Sequence, residues 1–158
     1  MRMLYFFQYN WMVREEWFEW CKKLSAEEVA KERTGGMNSI LHTLFHIVDV
    51  EQSWTGDLTG RTEIFYEYKD FGSLDRVIEF SNMCRAETEE IVRSWTPEID
   101  LKLVTGINSS GQPFEYKFGE IMRHMIAHEI HHVGQLSVWA REIGLEPVHA
   151  NLIGKGLF

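Results

Sequence analysis

Apolar positions recur every three to four residues over most of this chain, which is the period of an amphipathic helix. The pattern predicts an all-α protein with four long helices, at residues 4–24, 40–58, 74–95 and 119–143. Ser25, followed by acidic residues, has capping character and predicts a short helical turn after the first helix. Four amphipathic helices around one apolar core describe a four-helix bundle.

Polar and glycine residues mark where the predicted helices begin and end. Asn38 or Ser39 is placed to cap the second helix, and Ser73 to cap the third. Pro97 is expected to end the third helix, because the residue before a proline is disfavoured in the helical conformation. Gly144 follows the fourth helix, at a position where a left-handed residue commonly ends one.

The segments between the long helices have a different pattern. Residues 59–72 are rich in aromatic and charged side chains and are predicted to form a loop. Residues 98–117 alternate apolar and polar positions around residues 108–111, which predicts a β-hairpin or an extended crossover between the third and fourth helices. A crossover of this length lets the fourth helix run parallel to the third. The tail, residues 145–158, is expected either to close over a site or to pack in a dimer.

Size and composition are those of a single domain spanning residues 1–158. With 44% hydrophobic and 13% aromatic residues, the chain can bury one sizeable core. Its net charge of −8 argues against binding a nucleic-acid backbone, which requires clustered Lys and Arg. The apolar run at the N-terminus is too short for a signal peptide or a membrane span, so we expect a cytoplasmic protein. Cys21 and Cys84 lack metal-type spacing and are expected to be buried thiols.

Two histidines of the fourth predicted helix have the spacing of metal ligands. His128 and His132 are four residues apart, so their side chains are neighbours on one helix face. Steps of about 100° per residue place His132 well inside the apolar arc and His128 at its edge. His124 and His131 fall outside that arc and are expected to be exposed. Two buried imidazoles both need polar partners, and one divalent cation would satisfy both of them.

The second predicted helix supplies a third candidate ligand. This helix is apolar around most of its circumference, and its narrow polar stripe contains His42, His46 and Asp49. His46 borders the apolar arc and is the preferred ligand, with His42 as its competitor. We expect Asp49 and Glu51 to be solvated or to hydrogen-bond the ligands. Three imidazoles would leave coordination positions open, with zinc the first expectation and nickel, iron or manganese also compatible.

The same helical turn also matches the His-Glu-x-x-His pattern of zinc proteases. In that chemistry Glu129 would be the general base, and its phase lies inside the apolar arc. The third protease ligand would have to come from Glu142, Glu146 or His149 in the short tail, which disfavours a protease. Gln135 could orient a ligand or a metal-bound water, or make a structural hydrogen bond. The catalytic residues are therefore left open, with Gln135 and Glu129 as candidates.

Several stretches spread over nearly the whole chain carry a family resemblance. They are Tyr9-Asn10-Trp11, residues 46–51 with Trp54, residues 128–136, and residues 141–144 with Pro147. These stretches resemble the DinB/YfiT-like family of bacterial metal-binding four-helix bundles. The resemblance implies a divalent metal held by His46, His128 and His132, a crossover before the last helix, and a homodimer. It also implies that a low-molecular-weight thiol, of the bacillithiol or mycothiol type, is a cofactor in some relatives.

Three functions are compatible with such a site. The leading hypothesis is a metal-dependent thiol S-transferase that joins a bacillithiol-type thiol to a small apolar substrate. The second is a metal-dependent hydrolase that acts on a small ester or amide. The third is a non-catalytic metal- or ligand-binding protein. The residue pattern leaves the choice among the three open.

Overall fold

The computed structural model describes residues 3–62, 64–108 and 110–157, which form a mostly helical bundle with one small sheet. The elements are α1 (Met3–Cys21), α2 (Ala26–Ala30), α3 (Ile40–Thr59), a 3-10 helix (Tyr68–Phe71), α4 (Leu74–Ser94), α5 (Pro97–Asp100), β1 (Leu103–Ile107), β2 (Pro113–Lys117) and α6 (Phe118–Glu142). The four long helices predicted from the apolar period are confirmed as α1, α3, α4 and α6, with ends that differ by at most three residues.

Hydroxyl caps determine where α3 and α4 begin. The Ser39 hydroxyl accepts the backbone N–H of His42 at 3.0 Å, so Ser39 and not Asn38 is the N-cap of α3. Asn38 precedes it in the left-handed region, with φ of 65°. The Ser73 hydroxyl caps α4 in the same way. The Ser39 cap fixes where α3, the helix that carries His42 and His46, begins.

The crossover between α4 and α6 is a hairpin preceded by a helical turn. β1 and β2 pair antiparallel, which confirms the hairpin. The start of the segment, predicted to be extended, is instead helix α5, because Thr96 caps it and Pro97 fits the first helical position. Gly106 lies opposite Phe114, and a Cβ at Gly106 would lie 2.6 Å from the Phe114 ring. The glycine therefore lets that ring lie across the hairpin.

Helix α3 lies at the centre of the packing, in contact with both α4 and α6, while α1 also contacts α4 and α6. Trp17 is completely buried and Trp11 is 2% exposed, so the aromatic residues of α1 fill much of the core. Cys21 and Cys84 are free and buried, as predicted. None of the described helices has the length and apolar character needed to cross a membrane.

The tail, whose position the sequence left open, packs along α1 of the same chain. The Tyr9 hydroxyl donates to the carbonyl of Ala150 at 2.6 Å, and the Trp20 indole N–H donates to the carbonyl of Glu146 at 2.8 Å. Lys155 forms an ion pair with Glu16. Apolar side chains of the described tail also pack against the core. The tail thus reinforces the outer side of α1.

Candidate metal centre

Three imidazoles converge between α3 and α6. His46 comes from α3, and His128 and His132 come from successive turns of α6. The Nε2 atom of His128 lies 3.1 Å from Nε2 of His46 and 3.1 Å from Nε2 of His132. The three potential ligand atoms all lie within 4.8 Å of one another. Nitrogens bound tetrahedrally at the usual zinc distance are about 3.3 Å apart, so this cluster has the dimensions of a divalent metal site.

Helices α3 and α6 bring the three candidate ligands together by running antiparallel. His46 contacts His128 with 4.9 Å between ring centroids, whereas Trp54, two turns later on α3, contacts His124, one turn earlier on α6. Along α6, the i and i+4 spacing aligns His128 with His132. His132 is only 6% exposed, while His128 and His46 are half-buried. The cluster therefore lies at the edge of the core, where a small molecule can reach it.

The electrostatic environment keeps these imidazoles neutral. Burial, together with the neighbouring imidazoles, lowers the pKa of His46 to about 4 and the pKa of His128 to about 3. Burial also lowers the pKa of His132, although its hydrogen bond to Gln135 opposes that change. Neutral imidazole is the form that binds a metal, because a protonated ring nitrogen has no free lone pair. At neutral pH the site is thus ready to bind a cation without first losing protons.

Gln135 fixes the orientation of one ligand. Its Oε1 atom lies 2.7 Å from Nδ1 of His132, so this nitrogen carries the hydrogen and the Nε2 lone pair faces the cluster. The amide Nε2 of Gln135 lies 3.0 Å from Nε2 of His131, to which it can donate. Gln135 therefore holds the ring of His132, one of the candidate metal ligands.

His42, the competing ligand, lies outside the cluster. Its ring stacks on Tyr68 at a centroid distance of 3.9 Å and an interplanar angle of 5°. The 3-10 helix that carries Tyr68 is nearby only in the folded protein, so helical phase favoured His46 without revealing the contact that occupies His42. His124 and His131 are exposed, as their phase predicts.

A buried ion network lies on the core side of the same helices. Both Glu129 carboxylate oxygens accept hydrogen bonds from Arg14, from Nε at 2.8 Å and from Nη2 at 2.7 Å, and Arg14 is also paired with Glu51. Trp11 donates its indole N–H to Glu51. Arg14, Glu51 and Glu129 are 2%, 4% and 3% exposed. The expectation that Glu51 is solvated or bound to a ligand was wrong, because it pairs with an arginine of α1.

This network was missed at the level of sequence, although one signal for it exists. Arg14 lies on the same face of α1 as the large apolar residues Trp11, Trp17 and Phe18, three or four positions away. An arginine at such a position needs buried carboxylates, and two acidic residues fall on apolar arcs of other helices. For Glu129, both oxygens are held by Arg14, which leaves it poorly placed as a general base.

The match to known proteins covers nearly the whole chain. The sequence model of the DinB family matches residues 1–155. This chain belongs to the DinB family. It is 46% identical over 155 residues to YizA, an uncharacterized protein of Bacillus subtilis (strain 168), and the match covers 98% of this chain and 96% of YizA.

A solved structure shows the same fold as this DinB-family chain. The crystal structure of a DinB-like protein from Bacillus cereus ATCC 10987 superposes with a TM-score of 0.59 at 22% identity, over 91% of this chain and 94% of that one. At this identity the similarity establishes the bundle alone. The family resemblance predicted from the sequence is confirmed.

The low histidine pKa values predict that the metal-free protein loses stability in acid. An unfolded histidine has a pKa of about 6.5, so between that pH and about 4 the unfolded chain binds protons that folded His46 and His128 do not. Stability should therefore be complete above about pH 7 and fall as the pH drops towards 4. Melting temperatures measured in chelator across this range would show it. The His46→Gln/His128→Gln variant should have a flatter profile, and identical profiles would contradict the prediction.

Proposed function

We propose that this protein is a metal-dependent thiol S-transferase, with one divalent ion held by Nε2 of His46, His128 and His132. The observation that carries the proposal is the convergence of three imidazole nitrogens, with His128 Nε2 at 3.1 Å from each of the other two. Nitrogen lone pairs directed at one another repel unless a proton or a cation lies among them. A neutral imidazole still carries one hydrogen, and the hydrogen bond to Gln135 places that of His132 on Nδ1, away from the cluster. The lowered pKa values disfavour any additional proton among the rings, which favours a cation as their shared partner.

The number of ligands supports a catalytic ion over a structural one. Structural zinc sites usually have four protein ligands, whereas catalytic sites have three and leave a position for an outside molecule. The cluster found among the described residues contains three. Both cysteines are buried and free, and burial raises the pKa of each thiol to about 12, so neither supplies a thiolate. The nucleophile would come from a small molecule.

The chemistry follows from an open position in a neutral, half-buried site. When bound, the metal would supply Lewis acidity that keeps a small-molecule thiol deprotonated near neutral pH. The three histidines provide neutral donors, and Gln135 holds His132 in the tautomer that binds. Resemblance to thiol-dependent relatives favours a thiol over water at this position. Zinc is the first expectation, and nickel, iron and manganese also suit imidazole donors.

Hydrolysis is a weaker alternative because Glu129, the base that the His-Glu-x-x-His pattern would use, is held by Arg14. Glu129 would have to accept a proton from water, but its carboxylate is 3% exposed and both oxygens bind Arg14. A hydrolase would therefore need a base from elsewhere. Thiol transfer needs a thiol and hydrolysis needs a base, so an experiment can distinguish the two reactions.

Turnover should require both the metal and the thiol. We expect protein loaded with one equivalent of zinc to conjugate bacillithiol to a chromogenic electrophile, and His128→Ala to lower that rate at least about a hundredfold, as expected for loss of a catalytic group. Parallel assays would omit the thiol and supply a nitrophenyl ester. Ester cleavage without thiol would favour the hydrolase. One bound metal, a large fall in melting temperature on chelation and no turnover with any metal would favour a binding protein.

A further inference from the structure

A cavity of about 220 Å³ adjoins the three-histidine cluster. We call it the aromatic cavity, and it is lined by Trp54, Tyr116, Glu120, Ile121 and His124. Its walls come from α3, from the crossover hairpin and from the first turns of α6. The cavity therefore lies where the crossover meets the two helices that carry the histidines.

His124 connects the cavity to the metal cluster. Its ring centroid lies 5.8 Å from that of Trp54 on one side and 5.8 Å from that of His128 on the other. His124 precedes His128 by four residues, so the cavity is one turn of α6 away from this candidate ligand. The cavity therefore lies beside the cluster, with His124 between the two.

The hairpin builds one wall of the cavity. Trp54 meets Tyr116 edge to face at 6.2 Å and Phe114 at 5.6 Å, and the two hairpin rings stack at 5.3 Å. Phe114 is seated across the hairpin above Gly106, where no Cβ is present. The crossover therefore holds an aromatic wall in place beside the cluster, beyond its role as a connection.

Volume and charge define the ligand that fits. A cavity of about 150 Å³ holds benzene, so 220 Å³ accommodates one ring with a small substituent. Glu120 supplies a carboxylate, and none of the described lining residues is Lys or Arg. Aromatic faces and a carboxylate favour a cation over an anion. The net charge of −8 also favours a cationic ligand over an anionic one.

We propose that the aromatic cavity is the subsite for the second substrate, a single-ring aromatic molecule with a cationic substituent, whose reactive carbon faces the metal cluster. This inference rests on the proposed thiol transfer. In that reaction the thiolate sulfur forms a bond to the carbon, the leaving group departs with the bonding electron pair, and the thiol proton passes to solvent. Trp54 and Tyr116 hold the ring, and Glu120 determines the preferred charge.

Ligand-observed NMR with simple ring probes tests the subsite on zinc-loaded protein. Benzylamine is expected to bind with a Kd on the order of 1 mM, as suits so small a ligand, and benzoate at least about tenfold more weakly. On cobalt-loaded protein, the paramagnetic ion should broaden the resonances of bound benzylamine, because the cavity and the cluster adjoin. Equal affinities for benzylamine and benzoate, or no broadening by cobalt, would overturn the proposal.

Variants distinguish benzylamine binding in the aromatic cavity from binding elsewhere on the surface. Tyr116→Ala and Trp54→Leu should each weaken benzylamine binding about tenfold, since each removes an aromatic wall. Glu120→Gln should reduce the preference for benzylamine over benzoate. Tyr116 is 47% exposed, so its variant should fold even if Trp54→Leu does not. Phe65→Ala, at a ring 73% exposed and outside the cavity, is the matched control and should change nothing.

The two proposals can fail separately. If Tyr116→Ala retains one zinc but binds benzylamine as the wild type does, the cavity assignment is wrong and the metal site stands. If the wild type binds benzylamine and no zinc, the cavity binds aromatic rings but the proposed transfer fails, and the cavity ceases to be a subsite of that reaction.

Discussion

Replacing His46 by Ala is expected to abolish metal retention. Three imidazoles converge in the structure, and His46 is the one ligand from α3, so its loss leaves two donors on a single helix. Loss of a group that only orients a ligand costs about 10–100-fold in metal affinity, and loss of a ligand itself should cost more. The zinc content after dialysis, measured by elemental analysis, should fall from about one ion per chain to well below one tenth of an ion per chain.

Two variants calibrate this result. His149→Ala removes an exposed histidine of the tail and should retain one equivalent, which controls for adventitious binding. Gln135→Leu removes the acceptor for His132 Nδ1 and should give an intermediate loss of about 10–100-fold in affinity. If His46→Ala held one zinc as tightly as the wild type, the three-histidine site would be wrong.

Replacing Arg14 by Met should cost the protein about 3–5 kcal/mol of unfolding free energy, the usual penalty for breaking a buried ion pair. Arg14 is 2% exposed and pairs with Glu51 from α3 and Glu129 from α6. Its removal leaves two buried carboxylates without a counter-charge. In a chain of this size, the melting temperature should fall by about 10 °C. Urea denaturation of metal-free protein measures the free energy directly.

The loss should come from the uncompensated charge and not from lost packing. Arg14→Met/Glu51→Gln/Glu129→Gln removes all three charges, keeps an acceptor for the Trp11 indole, and should recover at least half of the stability. Arg93→Met is the surface control, because the Arg93–Glu89 pair is exposed and should contribute less than about 1 kcal/mol. A loss of similar size in the Arg14 and Arg93 variants would contradict a special role for the buried network.

The long helices were predictable because their signal is local. Each has an apolar period, and Ser25, Ser39 and Ser73 all cap helices as their spacing suggests. The hairpin of the crossover was predicted, but helix α5 was missed. It is so short that alternating apolar and polar residues fit a helical turn as well as an extended segment. The hairpin register depends on how Phe114 fits over Gly106, a contact between strands that the linear pattern does not encode.

The candidate site was likewise predictable within one helix but not between helices. Residues on one helix have a known angular relation, so the pairing of His128 with His132 and the exposure of His124 and His131 follow from phase alone. The choice of His46 over His42 was only favoured by phase. It depends on how α3 is rotated against α6, and on Tyr68, which covers His42.

By itself, the sequence determined the class of fold, the helical segments and the two histidines of α6, because each depends on spacing within one helix. Only the tertiary structure decided that His46 completes the cluster, that Arg14 pairs with Glu51 and Glu129, and that the hairpin forms an aromatic wall beside the site. These contacts join residues far apart in the chain. Their geometry is set by how the helices rotate and slide as the core packs, which no single segment specifies.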